Sequence, residues 1–113
     1  IVVSSIGGLR ASEVIGAYNI SKAADIMLIK NLAAEFGKFN IRTNAIAPGL
    51  IRTDFAKALW ENPEILKAVL GNTPMQRIGE PDEIAGAAVM LSSKAGEYIN
   101  GQTIVIDGGT TIV

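Results

Sequence analysis

Three short strand-like segments, separated by stretches long enough for helices, restrict this chain to essentially one class of fold. Ile1-Val2-Val3 runs into Ser4-Ser5, Asn40 to Ala47 runs into Pro48-Gly49, and Gln102 to Ile106 runs into Asp107-Gly108-Gly109. The intervening segments are too long for hairpins, and two of them, Ala17 to Phe36 and Pro81 to about Ser92, have helical composition and periodicity. A strand-helix-strand-helix-strand order predicts an α/β architecture: a parallel sheet joined by right-handed crossovers.

Local punctuation refines the boundaries. Gly37 is placed to end the long helix from a left-handed C-cap. Pro48-Gly49 stops the second strand, and Asn62-Pro63 divides Asp54 to Asn72 into one or two short helices. Pro81 suits the first turn of a helix. Projected at about 100° per residue, Tyr18, Lys22, Ile29 and Phe36 share one side of the long helix, and Ile20, Ala23, Met27 and Ala34 share the other. Both sides are mainly apolar, which predicts packing against a second helix or a second copy as well as the sheet.

Composition excludes several function classes. Hydrophobic residues make up 49% of the chain and the net charge is −1, so neither a disordered polar segment nor a nucleic-acid or anionic-membrane partner is expected. No apolar run is long and charge-free enough to span a bilayer. Cysteine and histidine are both absent, which rules out disulfides and thiolate or imidazole metal sites within the chain. No metal is expected. The lack of cysteine is compatible with a cytoplasmic protein.

Proton transfer without histidine must use another group, and Tyr18 with Lys22 supplies one. Residues at i and i+4 lie on one helix face, so the ammonium can stand near the phenol. An ordinary phenol ionises near pH 10, and working near neutrality requires about 4 kcal/mol of extra phenolate stabilisation. A unit charge at about 4 Å in an effective dielectric of about 20 supplies roughly that much. Ser5, at the end of the first strand, adds a hydroxyl. A hydrolase with Ser5 as nucleophile would lack its histidine base.

The stretches Ile1-Val2-Val3-Ser4-Ser5-Ile6-Gly7-Gly8, Tyr18-Asn19-Ile20-Ser21-Lys22, Asn40 to Gly49, Arg77-Ile78-Gly79-Glu80-Pro81 and Ile106-Asp107-Gly108-Gly109 occur in this order and spacing. In that arrangement the chain resembles the short-chain dehydrogenases/reductases over essentially its whole length. The resemblance implies that Tyr18 is the general acid/base and that Lys22 stabilises its phenolate and holds the nicotinamide ribose. It implies that Ser5, rather than Ser4, orients the substrate carbonyl, because Ser5 stands thirteen residues before the tyrosine. Pro48 and Gly49 resemble the turn leading to backbone near Ile51 that contacts the nicotinamide carboxamide, with Thr53 completing the contact. NAD or NADP is the implied cofactor, a small carbonyl or alcohol compound the implied substrate, and a homodimer or homotetramer the implied assembly.

One expected part is missing. The family begins with a strand, a Gly-rich turn and a helix that receives the pyrophosphate, and no G-x-G-x-x-G stands between a strand and a helix here. The chain therefore reads as the C-terminal half of a doubly wound, Rossmann-like domain, with residues 1–113 forming part of one dinucleotide-binding unit. The implied activity is hydride transfer between nicotinamide and a carbonyl or secondary alcohol. The alternative is a catalytically silent fragment that acts only as an oligomerisation module.

Four further expectations concern single residues or segments. Asp54 to Gly79 is expected to form a substrate lid, with Trp60 and Met75 as pocket residues. Arg52 and Arg77 could meet a cofactor phosphate or an anionic substrate, but as isolated basic residues they are expected to be solvated or paired with nearby carboxylates. Asp107 is expected to serve a turn rather than a metal, and Asn44 to be a buried amide satisfying backbone groups.

Overall fold

The computed structural model describes residues 1–113. Three parallel strands in the order β1-β2-β3 form the sheet: β1 is Val2–Val3, β2 is Ala45–Pro48 and β3 is Thr103–Ile106. Helix α1, Gly16–Phe36, connects β1 to β2. The link from β2 to β3 holds α2 (Lys57–Trp60), α3 (Pro63–Gly71) and α4 (Pro81–Ser92). No helix is long and apolar enough to cross a membrane.

Strand β2 starts later than the strand-like segment Asn40 to Ala47 because Thr43 and Asn44 bond with side chains rather than in the ladder. Asn44 is 2% exposed; its Nδ2 donates to the Ile99 carbonyl at 2.8 Å and its Oδ1 accepts from Gln102 N–H at 2.9 Å. Thr43 N–H goes to Asn100 Oδ1 at 2.9 Å. The expected amide role of Asn44 is thus what the fold uses. Pro48, expected to stop β2, is instead its last residue, in register with Ile106. The N–H groups of Ala45 and Gly49 point to β3, bonding Gln102 and Ile106 carbonyls at 2.8 and 2.9 Å. The donor that proline lacks therefore falls on the opposite side, past the end of β1.

Gly37 does not take the expected left-handed cap. Its φ of −56° is right-handed, and the chain tightens into a 3-10 turn, Gly37–Phe39, before Asn40 takes the positive φ of 59°. Asparagine tolerates that conformation well enough to end the turn.

Ala45, Ile46 and Ala47 are all 0% exposed although successive side chains point to opposite faces, so both faces of β2 are covered. Helix α1 packs on β1 and β2 through Ile26, Ile29 and Ala33, and α4 packs on β2 and β3 through Leu91. One helix on each face of strands that step in one direction requires crossovers of opposite hand. The uniform right-handedness expected from the element order therefore holds for only one of them. The other side of α1 does not pack within the chain: Ile20 is 74% and Met27 55% exposed.

Helix α4 begins as expected, with Pro81 in its first turn and Glu83 accepting from Glu80 N–H at 2.8 Å. Hydrogen bonding from Arg77, at 2.8 Å from Nη1, together with the Glu80 amide, pulls the Glu83 carboxyl down to about 2. A depressed carboxylate stabilises the fold above its unfolded value of 4.5, and that contribution is lost as pH falls toward 2. The thermal-midpoint difference between the parent and Glu83→Gln, measured by circular dichroism, should be constant near neutrality and vanish as pH falls from about 4.5 to about 2. Both partners are largely exposed, so the difference should be small and weakened by salt. An equal difference at both ends of that range would contradict the pairing.

Candidate active site

Ser5, Tyr18 and Lys22 come together because the turn after β1 folds back on the first turns of α1. Ser5 continues the extended backbone (φ −165°, ψ 157°), and its Oγ accepts from Gly7 N–H at 3.0 Å, capping the 3-10 turn Ile6–Gly8. Asn19 Nδ2 donates to the Arg10 carbonyl at 3.0 Å and holds the rest of the loop on the helix. A Cβ on Gly7 would lie 3.3 Å from Tyr18 Cε1 and 3.4 Å from Ser5 Oγ, so phenol and hydroxyl border one small gap. Ser4 is buried, and its hydroxyl donates to the Lys22 carbonyl at 2.8 Å. It pins helix to strand.

The Lys22 ammonium stands 5.8 Å from the centroid of the Tyr18 ring. It donates to the Val3 carbonyl at 3.2 Å and to Asp25 Oδ2 at 3.2 Å. Two of its three donors are thereby engaged and one is left for another ligand. Sequence reasoning did not single out Asp25, although its position three residues after Lys22 places it on the same helix face.

The segment Pro48 to Thr53 leaves β2, the strand next to β1. Gly49 must lack a side chain, since a Cβ would stand 2.8 Å from the Asp107 Cα. Ile51 forms an isolated parallel bridge with Gly79 that ties together the two ends of the segment carrying α2 and α3. Thr53 Oγ1 accepts from Ala56 N–H at 3.3 Å, and its carbonyl accepts from Trp60 Nε1 at 3.0 Å. The segment reaches the trio through Phe55, whose ring lies 6.5 Å from that of Tyr18 at 31° and is 87% exposed.

Trp60, expected in a pocket, is occupied otherwise. Its indole is bonded to Thr53, and Arg52 lies 5.2 Å above the ring while pairing with Glu80 at 3.0 Å. The expected carboxylate partners of Arg52 and Arg77 are thus Glu80 and Glu83. Met75 is 58% exposed and borders a cavity of about 120 Å³ between Leu50-Ile51, α3 and the turn after β3. Ile51 lines that cavity, but Ser5, Tyr18 and Lys22 do not. The cavity and the Ser5, Tyr18 and Lys22 side chains therefore lie apart.

Asp107 serves its turn. Partial burial pushes its carboxyl up, but bonds from Thr111 and from the Gly109 and Thr111 amides, at 2.9 and 2.8 Å, outweigh that and leave it below the ordinary range. Gly108 and Gly109 take φ of 64° and 91°. No cluster of acidic side chains could hold a metal ion.

Comparison with known proteins matches this arrangement. The family model described as enoyl-(acyl carrier protein) reductase covers residues 1–111. The Bos taurus protein "Dehydrogenase/reductase SDR family member 4" is 43% identical over 110 residues, which cover 97% of this chain and 39% of the relative. A solved 4-hydroxyisoleucine dehydrogenase complexed with NADH superposes with a TM-score of 0.94 at 38% identity, covering 98% of this chain and 46% of that one. A gluconate 5-dehydrogenase from Burkholderia cenocepacia, in complex with NADP and tartrate, gives 0.95 at 34%, covering 98% and 44%. The chain thus spans less than half the length of these relatives, and its α/β fold is a portion of their Rossmann-like domain. With a matching family model along nearly its whole length, the chain belongs to the short-chain dehydrogenase/reductase family.

Proposed function

We propose that residues 1–113 form the C-terminal part of a single dinucleotide-binding domain, and that the polypeptide completing this domain is an NAD- or NADP-dependent oxidoreductase. Its substrates are small carbonyl compounds or secondary alcohols. The observation that carries the reading is the Lys22 ammonium 5.8 Å from the Tyr18 ring, with Ser5 Oγ across the gap left by Gly7.

Surface area supports an incomplete domain. A folded monomer of 11.9 kDa exposes about 5,900 Å² by size scaling, whereas this chain exposes 7315 Å². The radius of gyration is 14.9 Å, against about 13 Å expected for this length. Val3 on β1 is 57% exposed and the outer edge of that strand is unpaired, as suits a strand continued by another. The outward Ile20 and Met27 of α1 suit a contact in a homodimer or homotetramer.

The residues fit a nicotinamide cofactor: Lys22 retains a donor for ribose hydroxyls, and the backbone from Pro48 and Gly49 through Ile51 to Thr53 runs from the neighbouring strand toward Phe55, beside Tyr18. A nicotinamide supplies or accepts the hydride. In reduction Tyr18 gives its hydroxyl proton to the alkoxide oxygen as it forms, Ser5 Oγ holds that oxygen, and Lys22 stabilises the phenolate left behind. In oxidation the same atoms work in reverse. The complete polypeptide, incubated with NADH or NADPH and a panel of ketones, should consume reduced nicotinamide. Failure with both cofactors across ketones and secondary alcohols would leave the silent oligomerisation module as the better reading.

A further inference from the structure

We propose that Asp25 is a positioning residue that anchors the Lys22 ammonium and attenuates the field this cation exerts on the Tyr18 phenol. The inference rests on the acid–base reading of Tyr18 and goes beyond it, since a phenol and a lysine alone do not say how strongly they are coupled.

The geometry is specific. Asp25 Oδ2 and the Val3 carbonyl each accept from Lys22 Nζ at 3.2 Å, one from the helix and one from the strand. The ammonium is thereby held between α1 and β1, 5.8 Å from the phenol ring, with its remaining donor free. The side chains of Lys22 and Asp25 are 24% and 31% exposed, so the pair is partly shielded from solvent screening. A flexible lysine stem ordered at both ends needs no further ordering when a ligand arrives.

The same carboxylate carries a charge. It is paired with the ammonium and offsets part of the stabilisation that the cation gives to a phenolate. Strand β1, the turn Ile6–Gly8 and strand β2 carry no titratable side chain. Arg10, in the loop bonded to α1, directs its guanidinium to the Thr110 carbonyl at 3.4 Å. The lid presents the Phe55 ring, with Asp54 beside it in sequence. Lys30 and Glu35 lie farther along α1, and Lys38 belongs to the 3-10 turn beyond its end. Asp25 is the charged side chain bonded to Lys22.

In alcohol oxidation Tyr18 must start as the phenolate, so activity falls on the acid side as the phenol takes its proton. Because Asp25 is paired with the ammonium that faces the phenol, removing its charge should move that acid limb to lower pH by about half to one unit. The test uses the complete polypeptide with NAD or NADP and a secondary alcohol, recording kcat/KM against pH for the parent, Asp25→Asn and Asp25→Ser. Asparagine keeps an acceptor without the charge, and serine removes both charge and reach, so two independent variants report the charge. Only Asp25→Ser should also weaken reduced-cofactor binding, by about threefold to tenfold, as the ammonium loses an anchor. Restoring the carboxylate with Asp25→Glu should bring the acid limb back toward the parent. Acid limbs of Asp25→Asn and Asp25→Ser that coincide with the parent, while Tyr18→Phe is inactive, would overturn the role of Asp25 alone. An active Tyr18→Phe would instead remove the reading on which it rests.

Discussion

Tyr18→Phe in the complete polypeptide should lower kcat by about 10²-fold to 10⁴-fold, the usual worth of a positioned acid–base group, while the dissociation constant for reduced nicotinamide changes little. The substitution removes one oxygen and its proton and keeps the ring that faces Gly7 and lies 6.5 Å from Phe55. Lys22 also stays in place, since its anchors are Val3 and Asp25 rather than the phenol. Binding and chemistry should therefore separate cleanly. Steady-state turnover together with a fluorescence titration of the reduced cofactor measures both, and near-normal kcat would remove Tyr18 from its assigned role.

Gly8→Ala should be strongly damaging. A Cβ at that position would lie 2.6 Å from the Lys22 carbonyl carbon, 2.7 Å from its oxygen and 2.9 Å from the Ala23 nitrogen. All three atoms are helix backbone, which cannot rotate aside as a side chain would. The turn Ile6–Gly8 must instead lift from α1, carrying Ser5 away from Tyr18. We expect a loss of about 1–3 kcal/mol of stability, the range for overpacking, together with a fall in kcat at temperatures where the protein remains folded. Gly86→Ala is the matching control, because nothing lies within 4 Å of its added Cβ. In a helix interior that change should stabilise by about 0.5–1 kcal/mol. Denaturant unfolding of the two variants should move in opposite directions; equal effects would mean that the close approach at Gly8 does not govern the site.

Much of the fold was legible because its signals are local. The break at Asn62-Pro63 and the start at Pro81 depend on dihedral limits of proline and on nearby caps, and both elements stand where those limits put them. The start of β2 was not legible. Asn40 to Asn44 has strand-like composition, yet Thr43 and Asn44 bond to residues 99–102, nearly half the chain away. The cap was misplaced for a related reason: Gly37 remains helical and the turn ends at Asn40, a choice between two permissive residues that local propensity does not resolve.

The site divides along the same line. Tyr18 and Lys22 could be paired from sequence because four residues of helix bring them to one face whatever the rest of the chain does. That Phe55 rather than Trp60 meets Tyr18 depends on the path of the segment Asp54 to Gly79, which is held by Ile51 with Gly79, Thr73 with Thr110, and Arg52 with Glu80. Such contacts join residues far apart in the chain.

The amino-acid order by itself determined the alternation of strands and helices, the phenol–ammonium pair and the exclusion of disulfides and of thiolate or imidazole ligands, because periodicity and residue type act over a few residues at a time. Only the tertiary structure decided that one helix lies on each face of the sheet, that the Ser4 hydroxyl is spent on the Lys22 carbonyl, and that Lys22 is shared between Val3 and Asp25. Those outcomes depend on how β1, α1 and β2 close around one another, and the direction of a hydroxyl or an ammonium is set by that closure rather than by its neighbours in sequence.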